Sequence, residues 1–288
     1  MLTSTFPVPG HAVQGTRAVP AAGGRGPGTA ARPREHRTCP SCVRELFDPA
    51  GRRHGYALVS CSACGPAPRP GLDAPRVRLA DLCADCVEEC RRTGGRRTVA
   101  DSTGCAACGP RPRYGCLSGE DALSAAVAAV QAGSVVAVRD MFADQIVCDA
   151  RAEYALARMD GTPARPRVLV RNVSAARRIA SVSPADIAAL VERAEPSVLL
   201  RVRDHEVSRK LWRGTPDVEV FLPRTPLHHL VTARLDAPLA VWDRRDQAGS
   251  WPYDGVLGVG GGLDDMEQAL PAAPGEGLPE WWLPAAGA

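Results

Sequence analysis

Four Cys-x-x-Cys pairs, evenly spaced, restrict this chain more than any other feature. They are Cys39/Cys42, Cys61/Cys64, Cys83/Cys86 and Cys105/Cys108, with 18 residues between each pair and the next. A Cys-x-x-Cys knuckle directs two thiolates at one point, and two knuckles complete the tetrahedral sulfur cage that zinc favours. Eight thiols so arranged imply two zinc ions, each held by four cysteines. A closed four-cysteine cage leaves no position for water, so these centres are expected to hold the fold and do no chemistry.

The residues between the pairs repeat as well. Cys39-Pro-Ser-Cys42 leads through Gly51-Arg52-Arg53 to Cys61-Ser-Ala-Cys64-Gly65-Pro66, and Cys83-Ala-Asp-Cys86 leads through Gly95-Arg96-Arg97 to Cys105-Ala-Ala-Cys108-Gly109-Pro110. The period is 44 residues, which makes each finger one repeat unit: 39/42/61/64, then 83/86/105/108. Joining Cys61/Cys64 to Cys83/Cys86 satisfies the spacing equally well but cuts across the repeat. A disulfide framework needs an oxidising compartment, and the first residues read as Pro- and Gly-rich polar sequence rather than a secretory leader. Cys90, Cys116 and Cys148 lack a Cys-x-x-Cys partner and are not expected to be ligands.

The formal net charge of +3 is too mild to imply a nucleic-acid partner by itself. Residues 31–115 hold 15 Arg against 9 acidic residues, and eight zinc-bound thiolates offset much of that arginine charge. The finger surface therefore reads as solvated and charge-balanced. Lys210 is the only lysine beside 34 Arg, so phosphate-binding lysines cannot be numerous. No apolar run approaches the ~20 residues needed to span a bilayer. The expectation is a soluble, cytoplasmic chain with no membrane partner.

Along the chain, residues 1–37 are Gly-, Pro-, Ala- and Arg-rich without periodicity and read as a disordered N-terminal segment. The two fingers take 38–115. From 116 to 252, helix and strand signals alternate. Ser118 to Asp121 suggests a capping box at a helix whose apolar face is Ala122, Leu123, Ala126, Val127 and Val130, closed by Gly133. Val135–Val138 reads as a buried strand, 153–158 as a helix, 168–170 as a strand and 174–181 as a helix. Ser183-Pro184 opens another helix, with Pro at the first helical position. Then come a strand over 197–202, a helix over 226–235 and a strand over 239–242. The fold class is α/β: two tandem small four-cysteine zinc fingers, then an α/β domain with a mixed sheet. Residues 253–288 read as a Gly/Pro-rich tail.

These motifs carry a family likeness. Cys-Pro-x-Cys, then Phe47-Asp-Pro-Ala-Gly-Arg-Arg53, then Cys-x-x-Cys-Gly-Pro resembles the fingers of HypF-type carbamoyltransferases, which mature [NiFe]-hydrogenases. The segment that follows is similar to the YrdC-like domain of that family. Its landmarks are Val135-Val-Ala-Val-Arg139, Cys148-Asp-Ala150, Pro163-Ala-Arg-Pro166 and Leu222-Pro-Arg-Thr-Pro-Leu-His-His-Leu230, in order. The likeness covers about residues 38–250. Two further family domains have only faint echoes, in Val13-Gln-Gly15 and in Val256–Leu263, so the chain reads as truncated and diverged.

The resemblance implies ATP as a second cofactor and carbamoyl adenylate as the product of the YrdC-like domain. That chemistry needs cations on a triphosphate and hydrogen bonds to the nucleotide. The motif positions are altered here. Arg139 replaces a lysine, and the glycine turn after it holds Asp140 and Asp144. The basic cluster is Asp160-Gly161-Thr162, and a later lysine is Arg165. The Ser/Asn strand end reads Trp242-Asp243-Arg244-Arg245. Arg139, Arg165, Arg244 and Arg245 are the candidates for an altered anion site, against the plainer reading of solvated arginines. His228 and His229 read as packing or capping residues rather than acid–base groups.

The expectation is a HypF-like protein with structural zinc and a degenerate nucleotide site, a carbamoyltransferase by resemblance but inactive alone. Its expected partners are hydrogenase maturation proteins or a separate carbamoyl-transfer domain. Two alternatives stand beside it. One is a zinc-stabilised scaffold that docks a partner protein. The other is a YrdC-like binder of double-stranded RNA, which the few aromatic residues disfavour, since base-stacking platforms need aromatic rings.

Overall fold

The computed structural model describes residues 18–19, 37–61, 64, 79–92, 95–97, 104–140, 143–162, 165–192, 197–203, 206–212, 214–244 and 251–259. Arg245, the 260–288 part of the tail and most of 1–36 lie outside them. Among the described residues, no helix is long and apolar enough to cross a membrane.

The helices are α1 Pro40–Phe47, α2 Ala84–Arg91, α3 Gly119–Gln131, α4 Glu153–Arg158, α5 Val173–Ile179, α6 Pro184–Val191 and α7 Pro226–Arg234. The strands are β1 Ala18–Val19, β2 Arg113–Tyr114, β3 Leu117–Ser118, β4 Val136–Arg139, β5 Asp144–Asp149, β6 Arg167–Leu169, β7 Ser197–Arg201, β8 Asp217–Phe221, β9 Leu239–Asp243 and β10 Gly255–Gly258. They form one mixed sheet in the order β1-β7-β8-β6-β9-β5-β4-β10-β2-β3. Parallel pairs are β4 with β10 and β6 with β8.

Alternation along the central strands gives the sheet two buried faces. Val136, Val138, Val147, Leu169, Phe221, Leu239 and Val241 point to one side, where α3, α7 and the first finger cover them. Val135, Ala137, Ile146, Cys148, Val168, Val220, Ala240 and Trp242 point to the other, beneath α4, α5 and α6. The first finger is thus part of the sheet's own core: Leu46, Tyr56, Leu58 and Val59 lie in the same apolar cluster as Leu123 and Leu227. Thr38 ties it to the α7 end, donating its amide and its hydroxyl to the Arg224 carbonyl, both at 2.9 Å. The second finger forms a small cluster of its own around Leu82, Cys86 and Cys105.

Local expectations meet the structure unevenly. Ser183-Pro184 opens α6 as expected, and a capping box between Ser183 and Asp186, which the sequence reading did not name, completes the start. At Ser118, the N-cap of α3, the expected box is absent: the side chain makes no cap hydrogen bond, and the chain turns through Gly119 at φ 65°, outside helical geometry, at the first helical position. The sheet also runs past residue 252. Val256 and Leu257 alternate within β10, which slots between β4 and β2. Gly255 leaves room there for Tyr114: a Cβ would sit 2.5 Å from its hydroxyl, so the ring would have to move.

Candidate metal centres and nucleotide site

The two helices that open the fingers place half of each cysteine cluster. Cys39 and Cys83 are the N-caps of α1 and α2, and Cys42 and Cys86 follow one turn later on the same side. The other half comes from tight turns, in which the Cys64 amide donates to the Cys61 carbonyl at 3.0 Å and that of Cys108 to Cys105 at 3.2 Å. Four thiols converge in each finger: Cys39, Cys42, Cys61 and Cys64, then Cys83, Cys86, Cys105 and Cys108. Each cluster lies within one repeat, and neither cuts across it. Cys90, Cys116 and Cys148 belong to neither cluster.

Sulfur spacing supplies the fit test for a metal. A tetrahedron with Zn–S of about 2.3 Å has S···S edges of about 3.8 Å. Three of the six edges are 3.6–3.7 Å in the first finger and three are 3.8–3.9 Å in the second, and in each cluster all four sulfurs lie within 4.8 Å of one another. The donor set and its size both suit zinc. The Cys86 backbone amide also holds the Cys83 thiol down to about 7, so a thiolate is accessible there near neutral pH.

An arginine–glutamate lattice joins the fingers. Arg52 donates to the Cys86 sulfur at 3.2 Å and to Glu89 at 2.8 Å. Arg96 donates to the Cys42 sulfur at 3.3 Å and to Glu45 at 2.6 Å. Arg53 Nε donates to the Gly104 carbonyl at 3.2 Å, and Arg97 Nε to the Ser60 carbonyl at 2.6 Å. Glu89 accepts from Arg53 at 2.6 Å and Arg97 at 2.8 Å, and Glu45 accepts from Arg97 at 2.7 Å. Arg53 and Arg97 are buried. The expectation of a solvated arginine surface fails for these two. The signal was present in the sequence, because Glu45 and Glu89 stand 44 residues apart, as do Arg53 and Arg97.

At one end of the sheet, where β4 and β9 finish and β5 and β6 begin, lie the residues matching the family's nucleotide motifs. Arg139 meets Asp144 at 3.1 Å, and Arg244 approaches the same carboxylate at 3.8 Å. Asp140 is buried and accepts the Ala143 amide at 2.7 Å. Arg165 is exposed. Of the three candidate arginines among the described residues, Arg139 and Arg244 converge, and they do so on a carboxylate; Arg245 lies outside those residues.

Sequence reading missed the network alongside. Arg167 pairs with Asp243 at 2.5 Å, and Asp243 accepts Gln145 Nε2 at 3.0 Å. Gln145 Oε1 lies 2.7 Å from His228 Nε2, and the Arg224 amide donates to His228 Nδ1 at 3.3 Å. With Nδ1 accepting, Nε2 carries the proton and donates to Gln145. Burial, helped by nearby Arg224, His229 and Arg167, lowers His228 to about 3. His228 is a neutral structural link, and its amide also donates to the capping Thr225 hydroxyl oxygen at 3.1 Å. Arg167 and Arg224 both sit over the Phe221 ring, at 4.7 and 4.8 Å.

With this geometry in place, the chain can be set beside known proteins. Residues 38–68 match a family model described as HypF finger, and 128–242 match the Sua5/YciO/YrdC model described as telomere recombination. Carbamoyltransferase HypF of Rhizobium leguminosarum bv. viciae is 43% identical over 203 residues, covering 69% of this chain and 26% of that protein. The Rhodobacter capsulatus HypF is 34% identical over 206 residues, covering 67% of this chain and 28% of that protein. Among solved structures, T. kodakarensis HypF superposes with a TM-score of 0.65 at 22% identity, over 79% of this chain and 34% of that one. Full-length HypF in a phosphate- and nucleotide-bound form gives 0.62 at 24% identity, over 72% of this chain and 29% of that one. At such identities the structures speak to the fold alone. The chain spans between 26% and 30% of the length of the curated relatives it matches. Sequence motifs, fold and relatives agree: the chain belongs to the HypF family, of which it carries the finger and YrdC-like portion.

Proposed function

We propose that this chain serves HypF-type hydrogenase maturation as a zinc-stabilised finger and YrdC-like unit whose nucleotide site no longer forms carbamoyl adenylate unaided. Eight cysteine thiolates hold two structural zinc ions, and zinc takes no part in the reaction. The observation that carries the proposal is the pairing of Arg139 with Asp144 and of Arg167 with Asp243 at the strand ends. A triphosphate needs free cations there, and each of these guanidiniums already faces a carboxylate. Admitting ATP would break both ion pairs and leave Asp140, Asp144 and Asp243 facing phosphate oxygens. A lost charge-assisted hydrogen bond costs about 1.5–3 kcal/mol, so two such losses slow adenylyl transfer by orders of magnitude. The partners proposed on this reading are hydrogenase maturation proteins and a separately supplied carbamoyl-transfer domain.

The test is carbamate-dependent exchange between ATP and pyrophosphate. It is run with the chain alone and with the carbamoyl-transfer portion of a HypF relative plus carbamoyl phosphate. Exchange at background in the first arm is expected. Clear exchange that Arg139→Ala or Arg165→Ala abolishes would overturn the proposal and make this an arginine-based carbamoyl adenylate synthase.

A further inference from the structure

The arginine lattice obeys the sequence repeat, but in a crossed sense. Positions 52 and 96, 53 and 97, 42 and 86, 45 and 89, and 60 and 104 are each related by the 44-residue period. Every contact that Arg52 and Arg53 make to sulfur, glutamate or carbonyl in the second finger has its counterpart from Arg96 and Arg97 to the first. The pairs are therefore related by a local pseudo-twofold. Neither finger supplies the guanidinium that contacts its own second cysteine: Cys42 receives Arg96, and Cys86 receives Arg52.

We infer that the two metal centres are outer-shell partners of each other, the arginines of one finger positioning the sulfurs of the other, and that they bind metal as a coupled pair. The inference rests on the reading of both cysteine clusters as zinc sites. A zinc ion with four thiolates carries a net charge of about −2, which a guanidinium donor partly neutralises while fixing the sulfur lone pair. Metal binding supplies much of the folding free energy of such small modules. A finger that loses its metal loosens the loop bearing its arginine pair and withdraws those donors from its neighbour. Buried Arg53 and Arg97 tighten the link, since both meet Glu89 and so cannot be displaced separately. These four arginines are positioning residues, because they contact sulfur and never the metal.

The full-length chain loaded with cadmium provides the test, since each four-thiolate centre gives its own cadmium NMR resonance. Cys42→Ser and Cys86→Ser assign the two signals. Arg96→Met is expected to shift the signal of the 39/42/61/64 centre, and Arg52→Met that of the 83/86/105/108 centre. Zinc affinity by chelator competition should fall about 10- to 100-fold at the same crossed site. Arg96→Lys and Arg52→Lys keep the charge and guard against misfolding; they should shift the same signals less. Emptying the second finger with Cys105→Ser should speed zinc loss from the first. Perturbation confined to each arginine's own repeat, or a first-finger affinity unchanged by Cys105→Ser, would overturn the coupling. A wild-type chain with fewer than two four-thiolate signals would overturn the zinc reading itself, and the coupling with it.

Discussion

Glu89→Gln strikes the centre of the finger lattice. The Glu89 carboxylate accepts from Arg52, Arg53 and Arg97 at 2.6–2.8 Å, and the side chains of Arg53 and Arg97 keep only 8% and 4% exposure. Glutamine offers one acceptor oxygen and turns an amide toward guanidinium donors. At least two charge-assisted bonds are lost, each worth about 1.5–3 kcal/mol. Breaking a buried pair by removing one partner costs about 3–5 kcal/mol. Glu45 still reaches Arg97 at 2.7 Å and Arg53 at 3.7 Å, so the expected loss lies at the lower end, about 3 kcal/mol. The assay is denaturant unfolding of the zinc-loaded chain by circular dichroism, beside the adjacent control Glu88→Gln. Glu88 is exposed and meets Arg92 at 3.7 Å, and its removal should cost under about 0.5 kcal/mol. Burial alone would raise the Glu89 carboxyl, but Arg53 and Arg97 hold it at about 2, below the ordinary 4.5. A depressed carboxyl contributes fully above its unfolded value and loses that contribution as pH falls toward the folded one. The deficit of Glu89→Gln should therefore be complete at pH 7 and shrink below about pH 4.5. Equal stability of the two glutamine variants at neutral pH would refute this account of the lattice.

Metal analysis of the purified chain is expected to find two zinc ions, with the finger region unfolding on chelation; Cys90→Ser should leave the zinc content unchanged. His228, buried neutral and lowered to about 3 from 6.5, contributes stability that is complete above pH 6.5 and lost as pH falls through that window. The wild type should then lose stability faster than His228→Gln between these values, by up to about 1.4 kcal/mol per pH unit, and equal slopes in pH-dependent unfolding would contradict the buried neutral assignment.

Features encoded by spacing were legible in the sequence. The cysteine clusters follow from two-residue gaps inside a fixed period, and the start of α6 from Ser183-Pro184. The helix over Glu153–Arg158 was read to the residue. Long-range pairing was hidden. Asp217-Val-Glu-Val-Phe221 alternates like a strand, but only its partners β6 and β7 distinguish it from loop. The Arg167–Asp243–Gln145–His228 chain draws on four elements, with sequence separations of 76, 98 and 83 residues. No local pattern could join them. Ser118 misled because Gly119, at φ 65°, starts the helix in a turn that the capping pattern does not reveal.

The first finger's place in the sheet core has a consequence for timing during synthesis. Thr38 waits for Arg224, 186 residues later in the chain, and the apolar side of α1 waits for α7. At typical elongation rates that interval is on the order of 10–40 s. For most of it, the four thiols of the first finger have been made while the surface that buries them has not. The nascent chain must either acquire its metal on the ribosome or carry unprotected cysteines until α7 arrives. The timing of zinc supply relative to synthesis decides which of these two routes the chain takes.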